Sequence, residues 1–201
     1  MANDAVAALG LDPDRVAVIR EAPAATFHPR SGEEVAAIRR RFGLPDQYLL
    51  WVGGLRSPDP RKRVAELARA RRTLPLVLAG PASRWARELP DVTITGEVSD
   101  DDLAALYTGA HALVFPSDEE GFGLPPVEAL ACGTPVAACD VPALRETLES
   151  RATIAPVDDL DGLVAAAEAA QRPAPDPPPW TWADAARATC EVYADAAAAW
   201  R

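Results

Sequence analysis

The sequence predicts an α/β fold: a doubly wound, Rossmann-like parallel sheet with one extra helix at its C-terminal end. Two observations predict it. Short apolar runs alternate with amphipathic segments from residue 16 to residue 171, the rhythm of βαβ units and a largely parallel sheet. That rhythm then stops at a proline-rich stretch, RPAPDPPP over 172–179, and a single helical segment follows. Right-handed crossovers between the strands give the doubly wound arrangement.

The elements follow in order. Residues 16–19 (VAVI) read as a first strand. Residues 32–42 (GEEVAAIRRRF) have helical spacing, with Ser31 as N-cap and acids in the first turn. QYLLWVG over 47–53 reads as a buried strand, 62–72 as a helix and LPLVLA over 74–79 as the next strand. A short helix is expected over 81–89, and a strand over 92–95 (VTIT). SDDDLAALY over 99–107 opens with Ser99 and carries Asp102 three residues on, close to a capping box. AHALVF (110–115) and PVAAC (135–139) are further strands, with a helix over 125–131 between them. A last strand over 153–155, a helix over 159–171 and a terminal helix over 181–200 complete the chain. Ligands in such sheets sit at the carboxyl ends of the strands. The loops that matter therefore follow Gly53, Gly80, Gly96 and Phe115.

Composition narrows the function classes. With 201 residues, 49% of them hydrophobic and 25% charged, the chain can bury a core without disulfides or metal. A net charge of −10 argues against nucleic acid, whose partners carry a basic patch. Cys132, Cys139 and Cys190 are an odd count at no metal-ligand spacing, so free thiols in a reducing compartment are expected. No apolar run reaches the roughly 18 residues of a membrane span. The N-terminus lacks a basic and an apolar signal region. The expected location is cytoplasmic. Lys62 is the only lysine, in a chain that otherwise uses arginine.

The chemistry concentrates in FPSDEEGFGLPPVEALACGTPV, residues 115–136. A strand ends, an acidic loop follows, then Gly121-Phe122-Gly123, then a helix that begins with prolines. Glycines let backbone N–H groups approach a ligand closely. Proline in a first turn loses only an N–H that is orphaned anyway. The remaining N–H groups and the helix dipole make an anion site. Two acids, Glu120 and Glu128, suit a ligand longer than its phosphates. Glu128 then accepts from ribose hydroxyls, as an acid does in dinucleotide folds, and Glu120 from hydroxyls of a sugar beyond the phosphates.

EGFGLPPVEALACGTPV, with seven residues between the two glutamates, resembles the donor-site signature of family 4 (group 1) retaining glycosyltransferases of the GT-B fold. YLLWVGG, PRKRVAELARA, LVLAGP, VTITGEVSDDDLAALYTGAHALVFPS and WTWADAARATCEVY resemble other pieces of that family, in its order. The match is to the C-terminal, nucleotide-sugar-binding half alone. The resemblance implies that Glu120 contacts the transferred sugar and that Gly121, Phe122, Gly123 and Leu124 offer N–H groups to the diphosphate. It implies that Glu128 holds the ribose, that Lys62 neutralises the leaving diphosphate, and that Gly96, Glu97 and Val98 line the base pocket. The family's arginine falls where this chain has Gly54. The loop GGLRSPDPRK is two residues longer, and Arg56, six before Lys62, is the candidate for that charge. The family's hinge asparagine-glycine is replaced by Glu21-Ala22.

The implied organisation is a hinge-side segment over 1–15, the donor-binding domain over 16–171, a connector over 172–179 and a crossover helix over 180–201. The implied donor is a nucleoside-diphosphate hexose. No metal cofactor is expected, because such enzymes use cationic side chains and a helix start, although Asp118 and Glu119 are possible ligands by type. Either the chain is a fragment, or its gene is truncated, or a separate polypeptide supplies the acceptor-binding half; the C-terminal helix would then self-associate or bind that half. The alternative is a non-catalytic module that binds a nucleotide sugar or a partner. His28 and His111 read as structural, Trp51 as core, and Trp180, Trp182 and Trp200 as anchors of the last helix.

Overall fold

The computed structural model describes residues 2–199. Two compact units divide the chain: Ala25–Pro178, and Met1–Ala24 together with Pro179–Arg201. In chain order the helices are α1 (Ala2–Leu9), α2 (Gly32–Phe42), α3 (Val64–Arg69), α4 (Asp100–Gly109), α5 (Leu124–Ala131), α6 (Pro142–Leu148), α7 (Leu160–Glu168) and α8 (Trp182–Ala199). The strands are β1 (Leu49–Val52), β2 (Leu76–Ala79), β3 (Val92–Gly96), β4 (Ala112–Phe115), β5 (Val136–Cys139) and β6 (Thr153–Ala155).

All six strands run parallel in the order β3-β2-β1-β4-β5-β6. β1, β2, β4 and β5 are buried along their whole length, because helices cover both faces. Alternate residues, such as Leu49, Trp51, Leu76 and Leu78, join a core with Leu67 of α3 and Leu163 of α7. Trp51 is core, as expected. The strand order reverses beside β1: β2 and β3 lie on one side, β4 to β6 on the other. The crevice between the carboxyl ends of β1 and β4 is therefore the switch point at which such sheets take ligands.

Local chemistry explains the boundaries. Ser31 forms a capping box with Glu34, and Gly43 closes α2 at φ 62°. Ser99 caps α4 by accepting from the Asp102 N–H. Some expectations need correcting. Residues 16–19 form no strand: β-branched residues favour one only where a neighbouring strand pairs with them, and these have none. The helix expected over 62–72 is α3 alone. Pro60–Lys62 is a 3-10 turn, and Arg63 then takes a left-handed φ of 48° that breaks the helix. The helix expected over 81–89 shrinks to a 3-10 turn at Ala86–Glu88. α1 and α6 were not expected; two turns are too short for helical periodicity to show.

In the smaller unit, Trp180 lies under the Arg20 guanidinium, 4.8 Å from the ring centroid. Trp182 is exposed rather than an anchor, because it opens α8 on a face that nothing within this unit covers. Trp200 lies outside the described residues. No described helix is long and apolar enough to cross a membrane.

Candidate functional site

Two loops flank the switch-point crevice. The loop after β1 carries Gly54, Arg56 and Lys62; the loop after β4 carries Glu120 and Gly121-Phe122-Gly123. The Asp118 N–H donates to Arg61 O at 3.0 Å and ties the two together. The β1 loop is itself braced. Asp59 caps the Pro60–Lys62 turn by accepting from the Arg61 N–H at 3.1 Å, and its carboxylate pairs with the Arg61 guanidinium. Arg61 holds Asp59 below the usual carboxylate range. Asp59, and behind it Glu119 and Glu120, keep Arg61 still more firmly protonated. Lys62 is partly buried, and its ammonium makes no ion pair among the described residues.

Gly123 is the N-cap of α5 at φ 88°, and its Cβ position is 2.5 Å from Leu144 Cδ2, so a side chain there is strained and must push Leu144 aside. Gly121 faces open space. No side chain caps α5, and Pro125 and Pro126 remove two of its first-turn donors. The amides of Gly121, Gly123 and Leu124 have no partner among the described residues. They are the donors this helix start offers an anion. Ser117, buried at the end of β4, has an Oγ with no hydrogen bond among the described residues. Such an atom costs about 1–3 kcal/mol when left unpaired.

Glu128 stands one turn into α5. Its Oε2 accepts from the Tyr107 hydroxyl of α4 at 2.9 Å. Burial pushes its carboxyl above the usual range and Asp100 adds to this, while the Tyr107 hydrogen bond opposes it. Burial, then the Glu128 charge, drives the Tyr107 phenol well above its ordinary value, so the proton stays on the tyrosine. Burial likewise pushes the Cys132 thiol up to about 12, which makes it inert.

Arg56 does not pair within the β4 loop. It reaches Glu97 at 3.3 Å, and both are exposed. With Pro81, Ala82, Ile94 and Gly96 they line a cleft of about 500 Å³ at the ends of β2 and β3. Val98 follows in the turn into α4, and Gly54 is exposed with nothing near its Cβ position. His111 binds Glu168 O at 2.9 Å through Nε2, a structural contact. Sequence reading missed Arg63, whose guanidinium donates to Val157 O, and Tyr107, whose only signal was a phenol hydroxyl near the end of the helix.

A family model described as glycosyl transferases group 1 matches residues 46–172, from just before β1 to the end of the α7 region. The chain belongs to the group 1 glycosyl transferases. It is 31% identical over 177 residues to O-antigen chain mannosyltransferase B of Escherichia coli, covering 76% of this chain and 44% of that protein. It is 32% identical over 191 residues to a D-inositol 3-phosphate glycosyltransferase of Salinispora arenicola, covering 81% and 43%. The chain thus spans under half the length of these curated relatives. Among solved structures it resembles the sucrose-phosphate synthase of Thermosynechococcus elongatus, with TM-score 0.59, 28% identity, and coverage of 74% of this chain and 41% of that one. It also shares its fold with Anabaena HepE in complex with UDP and glucose, with TM-score 0.68, 18% identity, and coverage of 94% and 55%. The six-stranded parallel sheet is the Rossmann-like fold of GT-B glycosyltransferases.

Proposed function

We propose that this group 1 glycosyl transferase chain is the donor-binding half of a retaining, family 4 hexosyltransferase that uses a nucleoside-diphosphate sugar. The carrying observation is the switch-point crevice. There the uncapped start of α5 and the unpaired Lys62 lie on two loops joined by the Asp118–Arg61 hydrogen bond. Catalysis by such a site is charge stabilisation at the leaving group. Lys62 and the amides of Gly121, Gly123 and Leu124 take up charge as the C–O bond to the diphosphate breaks. The sugar gains oxocarbenium character beside Glu120, and the acceptor attacks from the face the diphosphate leaves. Glu128 holds the ribose, and Gly96, Glu97 and Val98 border the base. Arg56, paired with Glu97, sits on the base side, where that carboxylate balances its charge. The cations already present supply the charge neutralisation, so the chemistry is proposed to run without a metal ion, in the cytoplasm.

Because the chain spans under half of its curated relatives, the acceptor-binding half is proposed to come from polypeptide outside these 201 residues. The smaller unit offers a surface for it or for a second copy. Trp182, Val192 and Tyr193 of α8 are exposed, as are Leu9, Leu11 and Val18.

Calorimetry with UDP, GDP and ADP, with and without chelator, tests the reading. Binding of at least one diphosphate, unaffected by chelator, is expected. Glu120→Ala should spare the free diphosphate and weaken only the sugar-linked donor, whereas Glu128→Ala should weaken both. Absence of binding to all three, or strict metal dependence, sinks the proposal.

A further inference from the structure

We propose that Tyr107 is a positioning residue that presents Glu128 to the ribose, so that the pair selects ribonucleotide over 2′-deoxyribonucleotide donors; this rests on the reading of the α5 start as the donor site. The Tyr107 hydroxyl occupies Oε2 of Glu128 at 2.9 Å, and Oε1 carries no hydrogen bond among the described residues. One carboxylate oxygen is thereby committed to the protein and the other is left as the acceptor. A carboxylate held at one oxygen has lost most of its rotamer freedom before the ligand arrives, and such pre-organisation sharpens discrimination.

Tyr107 is fixed to an unusual degree. It is fully buried, and its ring meets Phe27 edge-on at 6.0 Å between centroids. The last carbonyls of a helix lack intrahelical partners. At the end of α4 the Ala110 N–H reaches the Leu106 and Tyr107 carbonyls, and side chains from distant parts of the chain donate to five carbonyls in succession. Tyr48 donates to Leu106 O at 2.7 Å, and Thr134 donates to the carbonyl of Tyr107 itself. Arg172 donates to Thr108 O at 2.9 Å and Ala110 O at 2.6 Å, and Arg39 donates to Gly109 O at 3.0 Å. The backbone that carries Tyr107 is clamped on both sides, and its hydroxyl points out of this frame onto α5.

A 2′-deoxy nucleotide removes a hydroxyl that Glu128 would accept from. The half-buried carboxylate oxygen then stays unpaired, and sites built to bind a hydroxyl reject the analogue that lacks it. Without the Tyr107 hydroxyl the carboxylate is free to turn both oxygens toward water, and the penalty for the missing hydroxyl falls.

The test is titration calorimetry on the full chain with whichever diphosphate binds best and its 2′-deoxy counterpart, beside a thermal melt. The wild type should prefer the ribonucleotide by roughly tenfold or more, the scale of one hydrogen bond to a charged group. Tyr107→Phe keeps the ring against Phe27 and every main-chain clamp. It should lose most of the preference while changing the affinity for the 2′-deoxy ligand less than about twofold. Glu128→Gln should lose preference too, and adding Tyr107→Phe to it should change the ratio no further. This second comparison holds even if the single tyrosine variant melts early, because the amide removes the buried charge. If Tyr107→Phe lowers both affinities equally, or leaves the ratio unchanged, Tyr107 only packs and the proposal falls. If the wild type binds diphosphates without preference, the proposal falls while the donor site stands; if it binds none, both fall.

Discussion

Gly123→Ala is the sharpest probe of how the α5 start is built. Gly123 sits at φ 88°, and an added methyl would stand 2.5 Å from Leu144 Cδ2. Two costs follow. A left-handed conformation costs an alanine roughly 1–2 kcal/mol. Overpacking a core costs about 1–3 kcal/mol, and Leu144 is fully buried with little room to retreat. The sum is about 2–5 kcal/mol. Urea denaturation of the wild type, Gly123→Ala, Leu144→Ala and the double variant separates the terms. Leu144→Ala should itself cost about 2–5 kcal/mol. The double variant should be less destabilised than the two singles together by about 1–3 kcal/mol, the steric share. Additivity within about 0.5 kcal/mol, or a Gly123→Ala cost below that figure, would refute the clash. Gly121→Ala is the control: its Cβ meets nothing within 4 Å. It should alter stability by no more than about 1 kcal/mol and weaken diphosphate binding, because the methyl stands where the ligand is proposed to lie.

Other consequences are as direct. Burial raises the Glu128 pKa, so ionising it costs stability, and this cost disappears as the pH falls through that raised pKa. Glu128→Gln should therefore gain about 0.5–2 kcal/mol at neutral pH, seen as a higher urea midpoint, with the gain shrinking in acid; an equal gain at all pH values would contradict the assignment. Arg172→Ala leaves the carbonyls of Thr108 and Ala110 without their side-chain donor and should cost about 1–3 kcal/mol in a thermal or urea melt; no loss would show that solvent replaces the guanidinium. Light scattering should show association of the chain, abolished by the double change Trp182→Ser and Tyr193→Ser; a monomer at all concentrations would remove the α8 surface as an interface for copies.

The sequence by itself determined the sheet strands from β1 to β6 and the caps of α2 and α4. Their signals are local: apolar runs, and Ser31 and Ser99 at N-caps. It also placed the glycine-rich start of α5, because Gly-Phe-Gly before two prolines is a short-range pattern. Tertiary structure alone decided the rest. The run VAVI at 16–19 has strand propensity, but propensity forms no strand without a partner edge. The helix expected from Lys62 onward was broken by Arg63, whose backbone is left-handed and whose guanidinium reaches Val157, 94 residues on. The Tyr107–Glu128 contact joins two helices, and its frame draws on Arg39, Tyr48, Thr134 and Arg172. No spacing in a sequence announces such partners, because they meet only once the sheet has set the helices side by side.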